Sequence, residues 1–387
     1  MSWALIPLSE EQRAIQQTAR DFADAELAPF TERWDRDGVF DRGIGEKLGA
    51  LGFLGMLIPE AYDGLGLDTC TYLVALEEIA AVDASTAVLM SVHNSLPTQM
   101  LLRFGSEAQK QAYLKPMARG EWLGAFALSE PDAGSDAASL RTQAVRDGDH
   151  FVLTGVKAWV SHGGHADVIL AMARTDTPDD RKGARGISAF IVTPDMPGFS
   201  VGKKEDKMGL RGSETVQLVF DELRVPVANL LGEAGMGFVY AMQSLDNGRL
   251  GIAAQSIGIA RAALEHSVRY AAERQQFGKA IKEFQAIQFK LADMATRVAA
   301  SRTLLHATAA AKDRGLPITQ YGSMSKLMSS ETAMWVTTQA IQIYGGYGYV
   351  KEYPVERLFR DAKVTEIYEG TSEIQRIIIA RELYATS

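Results

Sequence analysis

Two changes of residue texture divide this chain, and they constrain its fold more than any one residue does. From Ser9 to about Gly120 apolar residues recur at helical spacing. Ile15, Ala19, Phe22 and Leu27 make one such row, and Leu73, Leu76, Glu77, Ile79 and Ala80 mark another amphipathic stretch. From Glu121 to about Gly232 the pattern becomes short and β-rich. Asp147-Gly148 is a hairpin signal, followed by Phe151-Val152-Leu153-Thr154. Val168 to Leu170, Ile187 to Val192 and Val216 to Phe220 read as further strands, and the polar run Thr175 to Gly186 reads as an exposed loop. From about Gly235 the helical texture returns. Leu245 to Glu273, Phe284 to Asp313 and Ser323 to Tyr344 read as three long helices.

A chain of 387 residues holds two or three domains. The zones predict an α+β, mostly α, protein. They give a helical domain over 1–120, a β-domain built as a small barrel or sandwich over 121–232, and a helical bundle over 233–387. The net charge of −8 argues against nucleic acid and against attachment to an anionic membrane. The single cysteine, Cys70, excludes an internal disulfide and a Cys-rich metal site, and it fits a reducing compartment. No apolar run reaches the roughly 18 residues of a membrane span. Ser9-Glu10-Glu11-Gln12 reads as a helix cap with acids in the first turn, so no removable targeting peptide is expected before it. No second histidine stands at metal spacing from His93, which reads as structural; no metal is expected.

Chemistry concentrates in Ile367-Tyr368-Glu369-Gly370-Thr371-Ser372-Glu373-Ile374-Gln375-Arg376. One carboxylate, Glu369, precedes a glycine that lets the backbone approach a ligand. Thr371 and Ser372 can cap a helix over Glu373 to Leu383, whose free N–H groups suit an anion. Taken alone, the segment is also simply a capped helix start.

Other motifs occur in a fixed order. They are Phe126-Ala127-Leu128-Ser129-Glu130-Pro131-Asp132-Ala133-Gly134-Ser135-Asp136, then Lys157-Ala158-Trp159-Val160-Ser161, then Gly202 to Gly209 and Gly232 to Phe238. Arg274-Gln275-Gln276-Phe277-Gly278 and Gln342-Ile343-Tyr344-Gly345-Gly346-Tyr347-Gly348-Tyr349 follow, before the decapeptide. Over essentially its whole length the chain resembles the acyl-CoA dehydrogenase family, closest to its short-chain, butyryl-CoA branch. The resemblance implies that the third zone is a four-helix bundle, that FAD is bound, and that the protein is a homotetramer, a dimer of dimers. It also implies an electron-transfer flavoprotein as redox partner, in fatty acid β-oxidation or branched amino-acid catabolism. The setting would be the cytoplasm of a bacterium, or the mitochondrial matrix for a processed eukaryotic protein.

No strand–GxGxxG–helix unit is present, so the flavin must be held in another way. The resemblance places Phe126, Leu128, Ser129 and Ser135 along the isoalloxazine, with Ser129 donating to its pyrimidine end. It places Trp159 over one flavin face, with Val160 beside it and Ser161 near N5. Read alone, Trp159 is a core aromatic on a strand. Arg274, Phe277 and Gln285 resemble residues that reach the FAD of a neighbouring subunit, as do Gln342, Ile343, Tyr344, Gly345 and Gly346. A guanidinium can grip a pyrophosphate with two hydrogen bonds; without the resemblance, Arg274 is a solvated helix charge. Thr371, Ser372 and Glu373 resemble the remaining FAD contacts.

The resemblance makes Glu369 the base that removes the α-proton of an acyl-CoA while flavin N5 takes the β-hydride. A carboxylate in a dry pocket has a raised pKa, as such a base requires. The backbone N–H of Glu369 and a ribityl hydroxyl would hold the thioester oxygen. Ser135, Asp246, Asn247, Gly248, Arg249 and Gly370 would contact the substrate. One branch of the family carries its base at the position of Gly248, which leaves Glu369 without a rival there. Crowding near a ligand or a helix–helix contact would each account for this mid-helix glycine. Glutaryl-CoA dehydrogenases place an arginine at the position of Ala87, so a dicarboxylate substrate is not expected. Medium and branched acyl chains (isobutyryl, 2-methylbutyryl) stay open beside straight short ones. Other readings are an oxidase or monooxygenase of the same superfamily, or a silent CoA-binding relative.

Overall fold

The computed structural model describes residues 6–176 and 183–385. The helix predicted at Ser9 forms as α1, Glu10–Phe22. The Ser9 hydroxyl accepts from the Gln12 N–H at 3.1 Å, and the Gln12 side chain accepts from the Ser9 N–H at 3.0 Å, a reciprocal capping box. Seven more helices complete the first zone: α2 (Thr31–Asp37), α3 (Gly43–Ala50), α4 (Thr69–Val82), α5 (Ala84–Ser95), α6 (Pro97–Phe104), α7 (Glu107–Gln109) and α8 (Lys115–Ala118).

Among the described residues the strands of the middle zone are β1 (Gly124–Ala127), β2 (Gln143–Asp147), β3 (His150–Ser161), β4 (Val168–Arg174), β5 (Ile187–Val192), β6 (Phe199–Lys204), β7 (Thr215–Pro226) and β8 (Leu230–Leu231). They make one sheet in the order β6-β7-β3-β2-β4-β5-β8, with β1 parallel to β4. The predicted hairpin joins β2 to β3, and Gly148 takes the positive φ of 61° that its turn requires. A single residue pair, Gln143 with Arg174, links the two halves of the sheet. Both halves pack onto one apolar core, in which Phe151, Leu153 and Leu218 meet Ile169 and Phe190.

The last zone holds α9 (Gly237–Glu273), a two-stranded hairpin of β9 (Gln275–Gln276) and β10 (Lys279–Ala280), α10 (Gln285–Asp313), α11 (Thr319–Tyr344), α12 (Pro354–Lys363) and α13 (Ser372–Ala385). Helix α9 is the centre of the molecule. Every residue from Asn247 to Leu264 is buried, because α4, α5, α10, α11 and α12 surround it.

Two expectations need correction. The stretch around Leu73 to Ala80 is not amphipathic, since Thr71 to Ala80 are all buried. Its acids meet cations, two of the three buried, instead of water. Glu77 accepts from Arg302 at 2.8 Å, and Glu78 pairs with Arg261 at 2.6 Å and with Arg20 at 2.9 Å. This charge cluster ties α1, α4, α9 and α10 together. The loop predicted as exposed over Thr175 to Gly186 is tethered at its start: Asp176 is buried and grips the buried Arg174 at 2.7 Å. Residues 177–182 of that loop lie outside the described residues.

Candidate active site

Glu369 stands on a turn between the short helix Val364–Glu366 and α13, with a φ of 51° followed by 94° at Gly370. A left-handed glutamate is strained, and three side chains hold it. Lys326, fully buried on α11, donates to the Gly370 carbonyl at 2.7 Å. Gln375, one turn into α13, donates to the same carbonyl at 2.9 Å and to the Glu369 carbonyl at 3.2 Å. Thr371 caps α13 by accepting from the Ile374 N–H at 3.3 Å.

This turn drives the Glu369 side chain against α9. Both carboxylate oxygens are buried and lack a hydrogen-bond partner. Burial pushes the carboxyl up to about 7, against the opposing pull of Lys326 and Arg249. Opposite lies Gly248, where a Cβ would sit 2.0 Å from Glu369 Oε2. The glycine is therefore the space the carboxylate fills, an outcome that neither sequence reading of Gly248 contained. Arg249 is buried and ion-paired with Asp246, and Asp246 accepts from the Thr319 hydroxyl at 3.1 Å. Tyr368 donates to Gln255 on α9. Among the predicted substrate contacts, Asp246, Asn247, Gly248 and Arg249 lie together on the stretch of α9 that meets the acid, whereas Ser135 is exposed on the loop after β1.

A second group gathers where β1 meets β3. The pairing of β3 with β7 slips between Lys157 and Val160, and this bulge extrudes Trp159, which is 62% exposed with a φ of 61°. Trp159 is thus not a core aromatic, whereas Val160 is buried and offers a ligand only its backbone. Beneath the bulge the Ala158 N–H donates to the Ser129 carbonyl at 2.9 Å. The buried Lys157 donates to Glu130 at 2.8 Å and to the Leu128 carbonyl at 3.2 Å. The stretch Phe126 to Ser129 and the extruded indole are thereby held together. Phe126 also packs against the same apolar cluster as Tyr368.

The third group lies on the surface, and no described contact joins it to Glu369. Phe277 and Gly278 form the tip of the β9–β10 hairpin, both at positive φ, and Phe277 is 94% exposed. The Arg274 guanidinium lies 5.3 Å from the centre of the Tyr347 ring. Gln285, Gln342, Gly345 and Gly346 are exposed. Ile343 and Tyr344 are not: both are buried, and Tyr344 stacks on Tyr270 with ring centres 3.9 Å apart. Their side chains serve the bundle, so only their backbone can face a ligand. Ser372 has a buried hydroxyl without a partner, whereas Glu373 is exposed.

His93 is buried, with one ring nitrogen accepting from the Gly124 N–H at 3.1 Å and the other donating to the Met117 carbonyl at 3.0 Å, a structural role. Among the described residues no cluster of three or more His, Cys, Asp or Glu could hold a metal, and no helix is long and apolar enough to cross a membrane. Sequence reasoning missed Lys326, Gln375 and the Glu130–Lys157 pair. Their local signals are those of ordinary helix and strand residues.

This fold and site define a family. The chain matches the acyl-CoA dehydrogenase N-terminal domain over residues 9–121, the middle domain over 125–223 and the C-terminal domain over 235–384. It belongs to the acyl-CoA dehydrogenase family of flavoprotein oxidoreductases. It is 49% identical to the mitochondrial short-chain specific acyl-CoA dehydrogenase of Mus musculus, over 98% of this chain and 91% of that one. Butyryl-CoA dehydrogenase from Megasphaera elsdenii superposes with a TM-score of 0.96 at 44% identity, over 98% of this chain and all of the other. A chain solved in work on the electron transferring flavoprotein of Acidaminococcus fermentans superposes equally well, with a TM-score of 0.96 at 46% identity, over 98% and 99% of the two chains.

Proposed function

We propose that this enzyme uses FAD to oxidise a short-chain acyl-CoA to its trans-2-enoyl-CoA, with Glu369 as the base. The observation that carries the reading is the Glu369 carboxylate: buried, without a partner, raised to about 7 and facing a glycine-made space. A carboxylate left in that state is poised to take a proton. The similarity to butyryl-CoA and short-chain specific relatives favours a short acyl chain.

The residues fit a flavin. An extruded indole at Trp159 can cover a flat ring, and Phe126, Leu128, Ser129, the Val160 backbone and Ser161 would line it. Thr371, Ser372 and Glu373, at the capped start of α13, suit a phosphate-bearing group. Phe277, almost wholly exposed on a strained turn, would serve a second copy of the chain. With Arg274, Gln285 and the backbone of Gln342 to Gly346 it would complete the cofactor site of a neighbour in a dimer of dimers.

When bound, FAD supplies the acceptor for the substrate's β-hydride. The chain does the rest. Glu369 takes the α-proton, and its backbone N–H donates to the thioester oxygen as negative charge builds there. Arg249 and Lys326 keep the acid partly ionised near neutrality. Asp246, Asn247 and Ser135 would hold the CoA arm. An electron-transfer flavoprotein is the redox partner that fits the likeness to the Acidaminococcus fermentans chain. The setting is the cytoplasm in a bacterium or the mitochondrial matrix in a eukaryote.

Anaerobic addition of butyryl-CoA to the FAD-loaded enzyme is expected to bleach the flavin absorbance. No bleaching with any acyl-CoA overturns the reading, and rapid oxygen consumption during turnover identifies an oxidase instead.

The acid must be ionised to act. The kcat/KM for butyryl-CoA should therefore rise with pH and reach half its plateau near 7, since protonated Glu369 is inactive below that. Lys326→Met removes a cation that pulls the acid down, so the midpoint should move to higher pH. A profile flat between about pH 5.5 and 8.5 would place the base elsewhere.

A further inference from the structure

Buried hydroxyls almost always have partners, yet two between α9 and its neighbours α4 and α5 have nothing beyond each other. Tyr72 on α4 and Ser91 on α5 are both buried; the two hydroxyls interact weakly with each other, and neither has a hydrogen-bond partner of good geometry. Both converge on Gly251 of α9, where a Cβ would meet Ser91 Oγ at 2.3 Å and Tyr72 OH at 3.3 Å. Gly251 lies three residues beyond Gly248, hence on the same face of the helix. The negative charge of Glu369 reaches the Tyr72 hydroxyl, where it adds to the effect of burial in raising the phenol. One face of α9 therefore carries two side-chain-free positions in succession. The first is filled by the Glu369 carboxylate and the second is met by a pair of hydroxyls.

We propose that Tyr72 and Ser91 form the closed, polar end of the acyl site and set its chain-length limit. This rests on the assignment of Glu369 as the base that faces the acyl α-carbon. The side-chain positions of residues three apart on a helix are roughly 5–6 Å from each other, which leaves room for roughly three to four methylenes beyond the α-carbon. A longer chain would press methylenes onto two hydroxyls that have no other partner and would strand them from water. The same oxygens cost a short chain nothing, because water can share the closed end with them. Butyryl and valeryl thioesters fit this length; octanoyl does not.

The test is equilibrium binding to the FAD-loaded enzyme of S-butyl-, S-hexyl- and S-octyl-CoA, read by calorimetry. These thioethers have no acidic α-proton, so the result is independent of what Glu369 does to a substrate. The wild type is expected to bind S-butyl-CoA more tightly than S-octyl-CoA. The double variant Tyr72→Phe/Ser91→Ala removes two oxygens and should raise the hexyl-to-butyl affinity ratio about tenfold. Its melting temperature should not fall, because both hydroxyls are removed together and neither is left buried alone. An affinity ratio unchanged within about twofold in a folded double variant overturns the proposal. So does a wild type that binds S-octyl-CoA as tightly as S-butyl-CoA.

Discussion

Glu369→Gln is expected to bind FAD and butyryl-CoA and to reduce the flavin about 10²–10⁴-fold more slowly than the wild type. The amide has nearly the shape of the carboxyl, so the strained turn held by Lys326, Gln375 and the Thr371 cap stays in place. What disappears is the carboxylate that faces Gly248 on α9. Stability supplies a second readout. Burial raises the Glu369 carboxyl to about 7, so the stability contributed by its neutral form is fully present below the unfolded-state pKa and is lost as pH rises from there through about 7. Glutamine stays neutral throughout. The variant should therefore melt above the wild type at pH 8 and differ little from it at pH 5. Near-normal flavin reduction in stopped-flow would show that the proton is taken by another group.

Gly248→Ala should cost about 100-fold in kcat through geometry alone. The added Cβ would stand 2.0 Å from Glu369 Oε2, a distance no real contact permits, so the carboxylate must swing away from α9. The turn that carries it cannot follow easily, because its carbonyls are fixed by Lys326 and Gln375. A displacement of about 1 Å at a reacting group is enough for a loss of this size. Alanine also favours the helix by about 1 kcal/mol over glycine, so α9 should not unravel. Flavin content and thermal melting should stay close to wild type while flavin reduction slows. A variant with an unchanged rate would show that the carboxylate reacts from a different position.

Much of the fold was legible because its signals are local. Ser9 and Gln12 cap α1 through atoms three residues apart, and Asp147-Gly148 turns a hairpin with its own backbone. The strand Ile187–Val192 lies where its short, mostly apolar run put it. The misreadings share one cause. Glu77 looks like the wet face of a helix until Arg302 arrives from α10, as Arg261 of α9 does at its neighbour Glu78. Asp176 looks like loop charge until Arg174 folds onto it. Ile343 and Tyr344 sit among glycines in sequence, yet their side chains pack inward, Tyr344 against Tyr270.

The sequence by itself determined the order of helical and β zones, the caps and turns, and the acid placed before Gly370 at a helix start. Only the tertiary structure decided that this acid is a buried one. Its pKa depends on removal from water by α9 and on the charges of Lys326 and Arg249, none of which is near it in the chain. Desolvation acts through space. Periodicity and capping act along the backbone, within a few residues. The glycine at 248 stands where those two kinds of information meet: its place in the helix is local, but the carboxylate that needs its missing side chain comes from the far end of the protein.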